Sequence, residues 1–391
     1  MHKPTHCTNR RTAQTDALQQ AAPDFRRRTA QTAPREHDIA KSTSHRMASC
    51  PLSYRLGARA LRAAQTVQCQ TLYAVGGLYG NMHALSAIRE RAAQELTPPT
   101  LIFNGDFNFF NCEPSWWHDL NRDIMRSPRH IATAGNVEVE SSAIAPSGLG
   151  CGCGYPAYVS TGVVERSDRI VAALRAAAAA AAAPELLGWL RALPLALVAE
   201  VGGRRVGIVH GDVESLAGWG LGVEAMSPPD APLRAALGCG DPASQQYLPP
   251  TPRETALGWM EEAEVVGLVC THTCLPHGQA YRDSRGGAAE WGRAVFNNGS
   301  AGMPNFEGQR FGLITRVSAD LHAVPPDSLY GVAAGGLRFD ALPVHYDHDG
   351  WMAQFEAVWP AGSDAHASYH ARLVRGPGGF TRRHAAREGV S

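Results

Sequence analysis

From Leu52 onward, short apolar runs ending in glycine-rich polar turns alternate with stretches of helical spacing. Runs rich in β-branched and aromatic residues and bounded by Gly, Asn and Asp read as strands, which places strands at 71–75, 100–104, 130–134, 195–201, 205–209, 265–270, 294–297 and 311–317. Helical spacing predicts helices over 83–95, 115–125, 167–183 and 252–262. Strands alternating with helices predict an α/β protein. Gly202-Gly203 predicts a tight hairpin, because both glycines accept the positive φ that such a turn demands. The last helix opens with Thr251-Pro252-Arg253-Glu254, which reads as a Thr cap, a Pro in the first turn and a Glu reaching back to the cap. The Pro- and Gly-rich stretch 212–251 reads as a surface excursion near the pocket, an insertion in the domain. Beyond Val317, 339–346 and 351–359 read as further strands that complete a second sheet or make a lid or dimer contact.

The first 46 residues break the pattern. They hold nine Lys or Arg against four Asp or Glu, few large apolar residues, and the echo Arg-Arg-Thr-Ala-Gln-Thr at 10–15 and again at 27–32. Such composition cannot bury a core. We expect a disordered basic extension over 1–46, with Met47 as the initiator, although an arginine-rich, acid-poor leader also fits a targeting peptide. One domain then occupies 47–391.

Composition narrows the chemistry. The chain has 391 residues, 44% of them hydrophobic, and balances 36 basic against 36 acidic side chains. That is enough to bury one large core or two modest ones, and it argues against a broad basic face for nucleic acid. No apolar run is long enough to span a bilayer; the alanine tract at 176–183 is too short. Nine cysteines, an odd number in a chain of this length, read as reduced thiols in a cytoplasm. Lys3 and Lys41 are the only lysines, so an anion in the body must be met by arginine, histidine or backbone amides.

Three predicted strands end in Asn104-Gly105-Asp106, Ala134-Gly135-Asn136 and Val209-His210-Gly211, and a fourth in Cys270-Thr271-His272-Thr273-Cys274. Carboxylate, amide and imidazole groups at strand ends converge on the edge of an open sheet where ligands bind. Oxygen and nitrogen donors of this kind suit a divalent transition metal, which lowers the pKa of bound water and polarises a phosphoryl oxygen.

In order, these blocks resemble those of the calcineurin-like metallophosphoesterases: D-x-H-G-N, G-D, G-N-H-D/E, a strand ending in H-G, and G-H-T-H. Asn298-Gly299-Ser300 resembles the N-x-G-S strand end that follows in many members. The resemblance spans 71–317. It implies a four-layer α/β/β/α sandwich and a phosphate mono- or diesterase working through a metal-bound water.

The departures are as informative. Gly77-Leu78-Tyr79-Gly80-Asn81 stands where the family has D-x-H-G-N, so both first-metal side chains of that block are absent. Thr271-His272-Thr273-Cys274 replaces that metal's remaining histidine with a thiol. By the resemblance the second metal keeps Asp106, Asn136, His210 and His272, giving one site for Mn, Fe or Zn and a second only where thiols rebuild it. Cys274 with Cys151 or Cys153 would be that thiol set, packing or redox roles being the alternative. Gly135-Asn136-Val137-Glu138 lacks the histidine that protonates the leaving group, for which Glu138, His277 and His83 are candidates. Tyr79 offers a hydroxyl to a phosphate oxygen or fills the emptied site, and Asn81 and His277 are substrate-binding candidates. Trp116, Trp117 and His118 lie on a predicted helix as core or stacking residues, and 215–219 lines the pocket mouth or forms a loop. The expected substrate is a phosphorylated small molecule. Two alternatives stay open: a non-catalytic member that binds a metal or phospholigand, and a metalloenzyme with other chemistry.

Overall fold

The computed structural model describes residues 52–144, 148, 150–282 and 291–391; the expectations for 1–46 and Met47 lie outside them. In chain order the elements are α1 (Ala58–Arg62), β1 (Thr66–Cys69), β2 (Thr71–Val75), α2 (Met82–Ala92), β3 (Thr100–Asn104), α3 (Pro114–Arg126), β4 (His130–Thr133), α4 (Asn136–Ser142), α5 (Thr161–Ala180) and α6 (Pro184–Arg191). There follow β5 (Ala196–Val201), β6 (Arg204–Val209), α7 (Ala231–Leu237), α8 (Arg253–Glu262), β7 (Gly267–Cys270), β8 (His277–Arg282), β9 (Trp291–Asn297), β10 (Gly312–Ser318), β11 (Tyr330–Ala334), β12 (Leu337–Val344), α9 (His348–Val358), α10 (Asp364–Arg375) and α11 (Arg382–Ala385).

The strands form two mixed six-stranded sheets, ordered β1-β5-β6-β7-β9-β8 and β11-β12-β10-β2-β3-β4. In the second sheet β2, β3 and β4 run parallel and the other three antiparallel. In the first, β6, β7 and β9 run parallel, with the β5–β6 hairpin turning at Gly202 (φ 53) and Gly203 (φ 80) as expected.

Strand β2 shows why the layers stack as they do. All five of its residues are buried, and successive side chains point to opposite faces. Leu72 and Ala74 pack between the sheets with Ile102, Ile208, Val269 and Phe296, whereas Tyr73 and Val75 pack outward with Leu85, Ile88, Trp117 and Leu120 of α2 and α3. A third cluster covers the outer face of the first sheet, where Val198, Val209 and Leu268 meet Leu61 of α1 and Ala256 and Met260 of α8. The result is the expected α/β/β/α sandwich, with both faces of each sheet covered.

Several elements differ from the sequence reading. The segment 351–359 is not a strand but most of α9: Trp351 and Phe355 share one buried face at helical spacing, and Asp347 caps the helix by accepting from the Gly350 amide. The stretch 212–251 divides: 227–250 runs largely at the surface, but 212–226 belongs to the core. Val213, Leu216, Leu221, Val223 and Met226 are fully buried, and Asp212 organises the turn by accepting from the amides of Glu214, Ser215 and Gly220. Thr251 does not cap α8; its hydroxyl donates to the Gly220 carbonyl (2.7 Å), and the helix begins after Pro252 with no side-chain cap. Strands β1, β8 and β11 were not expected.

Phe296 is the clearest joint between the sheets, stacked on Tyr330 (centroids 6.2 Å apart) and Phe339 (5.5 Å). Phe296→Ala should lower the unfolding free energy by about 3–5 kcal/mol in equilibrium urea denaturation. A loss below about 1 kcal/mol would show that the sheets do not depend on this contact.

Candidate metal centre

The C-terminal ends of β3, β4, β6 and β7 deliver Asp106, Asn136, His210 and His272 to one place. Asn104, the last residue of β3, fixes the meeting of the two sheets there. Its side-chain amide donates to the Val209 carbonyl (2.8 Å), its side-chain oxygen accepts from Thr133 Oγ1 (3.1 Å), and its backbone carbonyl accepts from His210 Nδ1 (2.8 Å). The turns pass so close that a Cβ on Gly105 would lie 2.5 Å from both Gly135 N and His210 Nδ1, and one on Gly135 would lie 2.3 Å from Asp106 Oδ1. Only glycine fits these two positions.

The partners of each ring set its tautomer. His210 Nδ1–H faces the Asn104 carbonyl, so Nε2 carries the lone pair; His272 Nε2–H faces the Cys153 carbonyl (3.0 Å), so Nδ1 carries its own. These two ring nitrogens stand 3.2 Å apart. Asp106 Oδ1 lies 3.4 Å from His210 Nε2, and Asn136 Oδ1 lies 3.3 Å from it, the Asn136 amide being turned away to donate to the Cys151 carbonyl (2.9 Å). Four acceptors therefore converge with no donor among them, an arrangement that calls for a cation. Asp106, His210 and His272, all buried, offer ligand atoms within 4.8 Å of one another. A donor set of imidazole, amide and carboxylate fits Mn, Fe or Zn, and the outward N–H bonds are the supports that orient metal-binding histidines.

Electrostatics couple the same groups, and Asp106 favours a positive charge at His210 Nε2, in the place a metal ion would fill. Burial alone would raise the Asp106 carboxyl, but the charge and hydrogen bond of His210 hold it below the usual range. Burial works against protonation of His210, and Asp106 outweighs it, so that ring sits above its ordinary value. His272 is pushed down to about 4 by burial and then by His210.

The other expected site residues fall into different places. Glu138 is fully buried at the start of α4, and its two oxygens accept from the amides of Asp106 (2.7 Å), Gly135 (3.0 Å) and Phe107 (3.1 Å). It clamps two strand-end turns together and does not face the cavity, whose lining at this point is Val137. Burial and the charge of Asp106 push its carboxyl up to about 7. Asn81 caps α2 by accepting from Ala84 N (2.9 Å) and donates to the Gly302 carbonyl (3.0 Å), which uses its side chain in the fold. His277 is buried at the head of β8 with Nε2 against the Leu221 carbonyl (3.0 Å), and burial lowers it to about 3. His83 lies on α2 beside Asp347 (3.6 Å).

Tyr79 and Cys274, which stand where the resemblance places first-metal ligands, meet at the edge of the centre. The Tyr79 hydroxyl lies 2.8 Å from Cys274 Sγ, and the Tyr79 ring packs against Phe109 and Phe110 at 5.8 and 5.5 Å. Cys274 is not in the Asp–His–His group, and burial raises its thiol. Cys151 and Cys153 reach the centre chiefly through their carbonyls: the Cys151 carbonyl holds Asn136, that of Cys153 holds His272 and Trp219 Nε1 (3.1 Å), and Cys153 Sγ also accepts from the Asn136 amide (3.4 Å).

A cavity of about 1050 Å³, its open mouth included, lies over the centre. Its floor is Tyr79, Asp106, Val137, Cys153, His272 and Cys274, and its walls are largely apolar and aromatic, with Phe109, Tyr155, Tyr158, Trp219 and Tyr369. Trp219 stands edge-on to His272 at 5.4 Å, which brings the last residue of 215–219 into the pocket. Trp117 is a core residue of α3. Sequence reasoning missed Tyr155, Tyr158 and Tyr369, together with Arg166 and Arg372, all of which line the cavity. They lie outside the ordered strand-end blocks, and only their shared location marks them.

No protein-family model matches the chain, and no curated protein matches it. Among solved structures, the chain is similar over most of its length to metallophosphoesterases of the calcineurin-like type. A metallophosphoesterase from Sphaerobacter thermophilus is 15% identical, with 78% of this chain and 99% of that one covered and a TM-score of 0.43. A hypothetical protein from Pyrococcus horikoshii is 15% identical over 79% and 99% of the two chains (TM-score 0.46), and a serine/threonine phosphatase from Saccharomyces cerevisiae is 15% identical over 74% and 88% (TM-score 0.36). The molecule is an α/β protein of two mixed six-stranded sheets flanked by helices, with a buried Asp–His–His group at their shared edge.

Elemental analysis of the purified chain should find about one transition-metal ion per molecule, lost in Asp106→Ala and in His210→Ala and retained in Cys274→Ala. Two ions per chain, one of them lost with Cys274, would show that the thiol rebuilds a second site.

Proposed function

We propose that the chain is a metal-dependent phosphoesterase that works with a single metal and acts on a small phosphorylated molecule with an apolar body. The convergence of four acceptor atoms at the strand ends, on the floor of an open cavity, carries this reading. A divalent metal held by Asp106, Asn136, His210 and His272 would lower the pKa of a bound water and polarise a phosphoryl oxygen.

The residues around the centre define the rest. His210 and His272 spend their N–H groups on the Asn104 and Cys153 carbonyls, so both rings present lone pairs inward and neither is free to shuttle a proton. Val137 presents only an isopropyl group where the resemblance places a proton-donating histidine. The phenols of Tyr79, Tyr155, Tyr158 and Tyr369 are all pushed up by burial, which makes them poorer acids. Glu224 also lines the cavity, but its Oε1 accepts from the Tyr158 hydroxyl (2.8 Å) and its Oε2 is buried. Burial raises the Glu224 carboxyl, which leaves it as the one acid among the described cavity residues, and with no proton donor beside the centre itself the leaving group is one of low basicity, such as a phenolate. The aromatic walls suit such a group.

A second reading has its own observation. The Tyr79–Cys274 pair fills the place of the first metal, which favours a member that binds a metal or a phosphorylated ligand without turnover.

The two are separated by a panel of aryl phosphate mono- and diesters assayed after reconstitution with manganese, iron or zinc. We expect metal-dependent hydrolysis that accelerates steeply as the leaving phenol becomes more acidic, is abolished by chelation, and falls by about 100-fold or more in His210→Ala. Ligand binding with no metal-dependent turnover across the panel would decide for the second reading.

A further inference from the structure

Arg372, near the end of α10, is 5% exposed and lines the cavity. Its Nε donates to the Pro304 carbonyl (3.2 Å) and its Nη2 to the Cys274 carbonyl (2.6 Å). Both acceptors are neutral. Among the described residues no carboxylate lies within ion-pair distance of it, and Nη1 makes no hydrogen bond. Arg234 provides the contrast. It is equally buried, at 3% exposure, but donates to the carbonyls of Glu224, Cys239 and Leu248 and does not line the cavity. Both amino groups of Arg234 are engaged in this way, whereas Arg372 leaves one amino group unused on a cavity wall.

A buried cation without a counter-charge is unfavourable unless an anion arrives to pair with it. A second arginine points to the same ligand. Arg166 of α5 lines the same cavity, half-buried, with Nε donating to Ser368 Oγ of α10 (2.6 Å) and no carboxylate partner. The chain has only two lysines, both outside the described residues, so arginines are the cations available to the cavity.

The location of Arg372 gives the idea its content. Its Nη2 rests on the carbonyl of Cys274, the residue that stands in a first-metal ligand slot and whose sulfur is engaged by Tyr79. We propose that Arg372 is the phosphoryl-binding residue of this cavity, supplying from α10 the positive charge that the Tyr79–Cys274 pair displaces from the first metal position. The ligand is a tetrahedral oxyanion: the phosphoryl group of a substrate, or the inorganic phosphate released from it. A guanidinium suits this task because its planar fork matches two phosphate oxygens. The identity of the anion rests on the phosphoesterase reading; the presence of an anion site rests on Arg372 itself.

The test is calorimetric titration of the full-length purified chain with inorganic phosphate, with metal content and thermal midpoint measured alongside. Arg372→Met, which keeps the length of the side chain, should weaken phosphate binding by about 10-fold or more while leaving metal content unchanged. Arg372→Lys, which keeps the charge and loses the fork, should fall between the two. It decides the matter should the Met variant fail to fold, wild-type affinity in the Lys variant then overturning the proposal. No phosphate binding by the wild-type chain, or equal affinity in Arg372→Met, would overturn it as well. Phosphate binding with the expected dependence in a chain that hydrolyses no ester would sink the hydrolase reading and leave the arginine site standing.

Discussion

The candidate centre depends on Asn104. Apolar packing between the sheets is non-directional and would tolerate small slips of one sheet over the other. Asn104 removes that freedom at the one edge where it matters, because its side-chain amide and backbone carbonyl are bonded to Val209 and His210 at the end of β6 and its side-chain oxygen to Thr133 at the end of β4. It is fully buried, so an unmatched polar atom would carry the full cost of desolvation. The bond to His210 does a second job by fixing the proton on Nδ1. The link that registers the sheets is therefore the same one that turns the His210 lone pair toward Asp106 and His272.

Strain gathers at the same edge. Tyr79, Asp106 and Cys274 have φ of 55°, 54° and 61°, three of the five non-glycine residues with positive φ among those described, and all three line the cavity. Each such backbone costs about 1–3 kcal/mol and persists only where its surroundings over-determine it. The turn containing Tyr79 is held from outside: Asn298 Nδ2 donates to the Gly76 carbonyl, Ser300 Oγ to that of Gly77, and Asn81 Nδ2 to that of Gly302. A strained turn is thus held firmly around a tyrosine and a cysteine. Maintaining a strained turn makes sense if its new occupants have work to do, and keeping the Cys274 carbonyl under Arg372 is one such use.

The sequence disclosed the centre far better than the cavity. Asp106, Asn136, His210 and His272 were legible because each follows an apolar strand and is set off by a glycine or a short polar turn, a local pattern that topology converts into proximity. Glu138 was misplaced for a physical reason: a carboxylate two residues from a ligand looks like an acid in sequence, whereas three backbone amides make it a clamp in space. The cysteines at 151 and 153 stand beside the centre, where carbonyls that every residue possesses hold Asn136 and His272 and the Cys153 sulfur adds a contact to Asn136. Residues 351–359 read as a strand on aromatic content alone; the four-residue spacing of Trp351 and Phe355 was the better guide. Tyr155, Tyr158, Arg166, Tyr369 and Arg372 come from α10, α5 and the segment leading into it, and are assembled only by the packing of those helices, visible in the Arg166–Ser368 and Arg169–Asp364 contacts.

Charge bookkeeping ties the centre to the cavity. Asp106 and a divalent ion together leave a single positive charge at the floor, with His210 and His272 contributing none while their lone pairs face inward. A phosphate diester, with one negative charge, would be balanced by that floor alone. With Arg372 above it and the half-buried Arg166 on the same wall, the pocket carries at least two positive charges in surroundings lined mostly by rings and aliphatic groups, where screening is weak and mismatch is costly. A dianionic monoester meets more of that charge than a diester, which leaves a guanidinium uncompensated. On the reading proposed here, the exchange of a second metal for a buried arginine therefore favours monoesters, and the apolar walls place the ester's organic group on the side away from the arginine fork.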